Sequence, residues 1–137
     1  MSHSQLRSLT YVSRASTPMP QVDFTQLGLE AGRLNALDGI TGLLVFNGDR
    51  FCQTVEGAPE AIDNLMSRLR GDPRHEDIEI VEDVSIDARR FRSWDMHLFL
   101  VPNDRSAALQ LASARLDSEV DVAARAKIYA TVEGVFA

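Results

Sequence analysis

A single cysteine, Cys52, excludes an intramolecular disulfide, so packing alone must hold this 137-residue chain together. The N-terminus lacks the apolar stretch of a secretory signal, and a reducing cytoplasm is the expected compartment. No apolar run approaches the ~20 residues of a membrane span. Basic residues are scarce as well, with 14 Lys and Arg against 20 Asp and Glu and a formal charge of −6. Without a dominant basic surface, neither nucleic acid nor an anionic membrane is an expected partner. His3, His75 and His97 lie far apart, and no HxxxH, HxH or CxxC spacing announces a metal site. There is no P-loop, no GxGxxG turn, and no nucleophile elbow around Ser13 or Ser16.

What is present is a hydrophobic fraction of 45%, enough for the core of one domain. Leu6 to Ser13 has the composition and length of a strand, and the stretch from Ala15 to Pro20 ends it. From about Asp23 to Leu34, Phe24, Leu27, Ala31 and Leu34 recur at helical steps, predicting an amphipathic helix that ends near Asn35. Gly39 to Phe46 and Arg50 to Glu56 flank Asn47-Gly48-Asp49, a hairpin signal because Asn and Gly tolerate positive φ. Pro59 suits the first turn of a second helix, whose stripe is Ile62, Leu65, Met66 and Leu69. Ile78, Ile80, Val84 and Ile86 alternate with polar residues as a half-buried fourth strand. Trp94, Met96, Leu98 and Leu100 form one row of a fifth. Arg89, Arg90 and Arg92, flanked by Asp87 and Asp95, read as a solvated basic corner.

The order βαββαββ predicts an α+β, ferredoxin-like sandwich with both helices on one face of the sheet. Residues 103–137 are alanine-rich and break near Asp117. They are expected to add two helices whose Leu109, Leu116, Val120, Ile128 and Val132 shield the other face or a partner.

Two polar residues stand in apolar rows. Gln53 lies between Phe51 and Val55, and Tyr11 shares a row with Leu9. A buried amide needs hydrogen-bond partners. Either residue alone is accounted for by a backbone bond or by space filling. Together with Asn35 at a helix end, they suit a planar ligand edged with carbonyls and ring nitrogens. Cys52, alternating with Gln53, reads as a small packed residue.

Five short blocks carry a resemblance: Leu9 to Ser13, Asn35 to Leu44, Phe51 to Gly57, Asp72-Pro73-Arg74-His75, and Arg90 to Met96. In this order and spacing they resemble the BLUF domain, the blue-light sensors using flavin adenine dinucleotide, over about residues 5–102. The resemblance implies FAD held between the two helices of a ferredoxin-like fold. It implies that Tyr11 and Gln53 carry the photochemistry and that Asn35 bonds one edge of the flavin. Leu27 and Leu69 would sandwich the ring, Leu44 and Phe51 would floor it, and Asp72, Arg74 and His75 would contact it from the loop after the second helix. Ser93, Trp94 and Met96 would couple the pocket to strand five. Where some members carry a histidine before the pocket asparagine, this chain has Leu34.

The resemblance makes residues 1–102 a photosensor domain and residues 103–137 a helical extension, in a chain too short for a fused effector enzyme. The expected function is a cytoplasmic blue-light receptor, not an enzyme, that signals to a separate protein and forms a homodimer. Two other readings use the same pocket: a flavin-dependent redox enzyme, and a ferredoxin-like module that binds a colourless small ligand.

Overall fold

A computed structural model describes residues 5–91, 96–116 and 122–137, without the side chains of Gln21 and Val22. Nine elements follow in the described chain: β1 (Leu6–Ala15), α1 (Gln21–Leu37), β2 (Thr41–Phe46), β3 (Arg50–Gly57), α2 (Pro59–Arg70), β4 (His75–Ile86), β5 (His97–Leu100), α3 (Arg105–Arg115) and α4 (Val122–Gly134). The strands form one sheet in the order β4-β1-β3-β2-β5. β1, β3, β2 and β4 pair antiparallel, and β5 runs parallel to β2. This is the α+β ferredoxin-like arrangement: each crossover helix joins two strands that have a third between them.

Because side chains alternate along a strand, the sheet has two apolar faces. On one, Leu9, Tyr11 and Val55 pack with Ile62, Leu65 and Met66 of α2. Beside them Leu44, Phe46 and Phe51 pack with Phe24 and Leu27 of α1. On the other, Leu43, Val45, Cys52 and Phe99 pack with Ala108 and Ala112 of α3 and with Ala124, Ile128 and Val132 of α4. Leu109 and Leu116 pack partly buried against that cluster. Val120 lies outside the described residues.

Local chemistry sets the ends of the elements. α1 runs two residues beyond Asn35 and stops in a Schellman cap: Gly39, at φ 69°, donates to the Ala36 carbonyl, and Ile40 N–H donates to the Asn35 carbonyl at 2.8 Å. That lock fixes the last turn, and Asn35 with it. Pro59 opens α2 at its first turn. In the β2–β3 hairpin Gly48 takes positive φ, but Asn47 does not. Its side-chain Oδ1 instead accepts from the N–H groups of Asp49 and Arg50. Gly42 permits the β2–β3 approach, since a Cβ there would fall 2.0 Å from the Thr54 carbonyl oxygen.

Two expectations need correction. β4 is an edge strand and largely exposed, with Ile80 at 40% and Val84 at 43%. Its apolar row is also split where the pairing with β1 shifts between Thr10 and Tyr11, and a second shift follows between Val12 and Arg14. Ile80 lies opposite Tyr11 on the α1–α2 face, whereas Val84 and Ile86 lie opposite Ser8 and Leu6 on the other. Nor are Arg89 and Arg90 a merely solvated corner. Arg89 donates to Thr41 Oγ1, and Arg90 sits 3.4 Å from the carboxylate of Glu56, which is fully buried. The backbone N–H groups of Arg90 and Phe91 also donate to Glu56. A buried carboxylate must be paired, and this one finds its partners in Thr41 of β2 and in the chain that follows β4. Arg92 lies outside the described residues.

Candidate functional site

Between α1 and α2, above the sheet, lies a partly open cavity of about 260 Å³. Its floor comes from three adjacent strands. Tyr11 of β1 pairs directly with Gln53 of β3, and Gln53 with Leu44 of β2, so the three share one row across the sheet. Leu27, Ala31, Leu34 and Asn35 of α1 form one wall, and Leu65 and Leu69 of α2 the other. Asp72, Arg74 and His75, where the chain leaves α2 and enters β4, close one end.

The floor carries a hydrogen-bonded series. The Tyr11 hydroxyl donates to Gln53 Oε1 at 2.6 Å, and Gln53 Nε2 donates to Met96 Sδ at 3.3 Å. Tyr11 is 1% exposed and Gln53 4%, so both sit at the buried base of the cavity. Burial pushes the Tyr11 phenol well above its ordinary value, with smaller contributions from Cys52 and Asp72. The phenol is therefore a neutral donor. Asn35, 2% exposed, lines the same cavity, and its Nδ2 has no hydrogen-bond partner among the described residues. A buried amide N–H group left unpaired is costly, and a bound acceptor would satisfy it.

The closed end is polar and ordered. Arg74 donates through Nε and Nη2 to Asp72, at 3.0 and 2.7 Å, and its guanidinium lies 3.6 Å from Glu30 of α1. The Arg74 hydrogen bond holds the Asp72 carboxyl below its usual range. His75 Nδ1 lies 2.9 Å from Ser13 Oγ. Its imidazole stands edge-on to Tyr11 and is pushed down to about 4, chiefly by burial. At neutral pH it is an uncharged ring.

The expected cofactor residues Tyr11, Leu27, Asn35, Leu44, Gln53, Leu69, Asp72, Arg74 and His75 thus line one cavity. Phe51 differs. It is fully buried two pairs further along the sheet, stacked on Phe46 at 4.4 Å and set against His75 at 4.4 Å, so it backs the cavity without lining it. Met96 reaches the floor through Gln53, while Ser93 and Trp94 lie outside the described residues. Glu30, Ala31, Leu65 and Arg68 line the cavity and were not expected there. Ala31 and Leu65 belong to the helix stripes read from the sequence. Glu30 and Arg68 sit three residues after Leu27 and Leu65, a helical spacing that places them on the rim of those stripes. Among the described residues no group of three or more His, Cys, Asp or Glu is placed to hold a metal ion, and no helix is long and apolar enough to cross a membrane.

The donor set fits a flavin: an amide on the α1 wall without a partner among the described residues, a tyrosine–glutamine pair on the floor, apolar walls, and a cation at the closed end. The comparisons with known proteins point the same way. Residues 6–97 match the BLUF family, described as sensors of blue-light using FAD. The chain is 40% identical over 92 residues to the photoactivated adenylate cyclase subunit beta of Euglena gracilis, covering 66% of this chain and 11% of that protein. It therefore spans about a tenth of the length of the curated relatives it matches. Among solved structures, the BLUF protein BlrB in its dark state shares 37% identity at a TM-score of 0.73, with 93% of this chain and 97% of that one covered. Klebsiella pneumoniae BlrP1 with FMN and cyclic diGMP shares 32% identity at 0.73, covering 94% of this chain and 35% of that one. Together with the floor formed by Tyr11 and Gln53, the match over residues 6–97 establishes that this chain belongs to the BLUF family of blue-light sensors.

Proposed function

We propose that this protein is a blue-light photoreceptor that binds FAD noncovalently between α1 and α2 and passes the signal to a separate protein. The observation that carries the reading is the 2.6 Å hydrogen bond from Tyr11 to Gln53 on the floor of a cavity that also holds the unpaired Nδ2 of Asn35. A bound flavin supplies the visible chromophore and, once excited, a strong oxidant. Tyr11 is the side chain in position to give up an electron with its hydroxyl proton and to recover both. Gln53, which accepts at Oε1 and donates at Nε2, relays that proton and is left with its amide rotated or tautomerised. Asn35 orients the cofactor through its amide. Leu27 and Leu69 keep water from its faces, and Arg74 and His75 hold its far side. No substrate is consumed, so the outcome is a shift in population between two arrangements of the protein.

FAD is the cofactor proposed because the family is described by it, although one solved relative holds FMN. Met96, which accepts from Gln53, is the described residue proposed to feel the amide turn first, with Ser93 and Trp94 within three residues of it in sequence. The receptor is proposed to act in the cytoplasm as a homodimer, with neither nucleic acid nor membrane as partner.

The test is an absorption spectrum of the purified protein in the dark, after blue light, and after standing again in darkness. Flavin bands that move reversibly to the red support the sensor. Bleaching without that shift points to redox turnover, and failure to take up any flavin leaves a module for a colourless ligand.

A further inference from the structure

Behind the cavity floor, on the other face of the sheet, three threonine hydroxyls form a chain. Thr10 and Thr54 are paired across β1 and β3, and their Oγ1 atoms lie 2.9 Å apart. Thr54 Oγ1 lies 2.8 Å from Thr131 Oγ1 of α4, and Thr131 Oγ1 donates to the Lys127 carbonyl at 2.7 Å. All three are buried, at 4%, 0% and 1% exposure, in a layer otherwise built from Val12, Cys52, Ala124, Ile128 and Val132.

The direction of the chain follows from counting protons. A hydroxyl has one hydrogen to donate. Thr131 spends its own on Lys127, so Thr54 must donate to Thr131 and Thr10 to Thr54. Bonds ordered in one direction reinforce one another, and none can be reversed while α4 stays in place. The far side is tied as well. Lys127 Nζ pairs with Glu82 at 2.7 Å, and Glu82 lies opposite Thr10 on β4.

Thr10 and Thr54 are the chain neighbours of Tyr11 and Gln53. Successive residues of a strand point to opposite faces, so each threonine shares a peptide unit with one member of the cavity pair. A small change in the pleat at Gln53 therefore moves the Thr54 hydroxyl relative to Thr131. We propose that the Thr10–Thr54–Thr131 chain is the positioning element that transmits a rearrangement at Gln53 through the sheet to α4. This rests on the sensor reading above. The threonines are not among the residues that line the cavity, and they act through the backbone they share with the pair. The device adds a route through the sheet to the direct contact of Gln53 with Met96.

The experiment is amide hydrogen exchange over residues 122–134 of the FAD-loaded full chain, in darkness and under continuous blue light, with the absorption spectrum recorded alongside. In the parent protein, exchange in this helix is expected to change on illumination. Thr54→Val and Thr131→Val keep the side-chain shape and remove the hydroxyl. Each should retain the reversible red shift but lose the light-dependent change in α4, and Thr54→Ser should restore it. Thr131→Val carries the test even if Thr54→Val folds poorly. A red-shifted parent whose α4 exchange is indifferent to light overturns the proposal, as does a light response that survives both valine substitutions. A parent that binds FAD but shows no red shift overturns the sensor reading itself, and the coupling with it.

Discussion

The hydroxyl of Tyr11 and the side-chain oxygen of Gln53 meet at 2.6 Å because their residues are direct partners in the β1–β3 ladder. The contact is built by register, so it persists as long as the two strands pair. Tyr11→Phe and Gln53→Leu should therefore both fold and bind flavin, yet neither should form the reversible red-shifted state, as checked by light-minus-dark spectra. In the flavin-free protein Tyr11→Phe also leaves Gln53 Oε1 buried without its partner. A loss of about 1–3 kcal/mol in urea unfolding is expected.

Asn35 predicts effects of opposite sign on stability and on binding. Its Nδ2 has no hydrogen-bond partner among the described residues, and an apolar side chain of similar size removes that penalty. Asn35→Leu should raise the melting temperature of the flavin-free chain while lowering its flavin occupancy after reconstitution. A fall in both would mean that the amide serves the fold.

His75 makes stability depend on pH. Burial lowers its folded-state value to about 4, opposed by Asp72 and aided by Arg74, against an ordinary 6.5. Between those values the unfolded chain binds more protons, so stability rises with pH across the window. The His75 contribution is complete above about pH 6.5 and is lost as pH falls toward about 4, by up to about 3 kcal/mol. Urea titrations of the flavin-free chain at pH 7, 6, 5 and 4 should show this slope, and His75→Phe should flatten it.

Gly134 and Cys52 are coupled where α4 meets the sheet. A Cβ at Gly134 would fall 2.5 Å from Cys52 Sγ and 3.3 Å from its Cβ. Gly134→Ala should destabilise by about 1–3 kcal/mol, the usual range for overpacking. The double variant with Cys52→Ala should be more stable than the sum of the single changes predicts, as a thermodynamic cycle would reveal. The Cys52 thiol is 1% exposed and pushed up to about 12 by burial, so its labelling by a thiol reagent should follow unfolding.

Much of the fold and floor was legible in the residues themselves. Apolar spacing announced α1 and α2, and Asn47-Gly48 announced the hairpin that pairs β2 with β3. Gln53 and Tyr11 stood out because each is polar in an apolar row, and such a residue marks either a satisfied amide or a site. The short blocks that resemble BLUF domains then brought Asn35, Arg74 and His75 to the same pocket.

Other features were set by pairing between distant segments. Periodicity says which side chains share a row only while the register is regular, and the shift in the β1–β4 pairing between Thr10 and Tyr11 divided Ile80 from Val84. Arg90 read as a solvated charge because nothing local shows that Glu56, 34 residues away, is fully buried and in need of partners. Phe51 and Leu44 occupy similar apolar strand rows, yet only Leu44 lines the cavity, since His75 packs over the Phe51 ring. The threonine chain is likewise invisible in composition, because Thr131 lies 77 residues from Thr54. Sequence by itself determined which residues are apolar, which are polar and where helices and turns begin, because those properties are local. Tertiary structure decided which polar groups find one another, because a hydrogen bond depends on distances that only the assembled sheet and helices define.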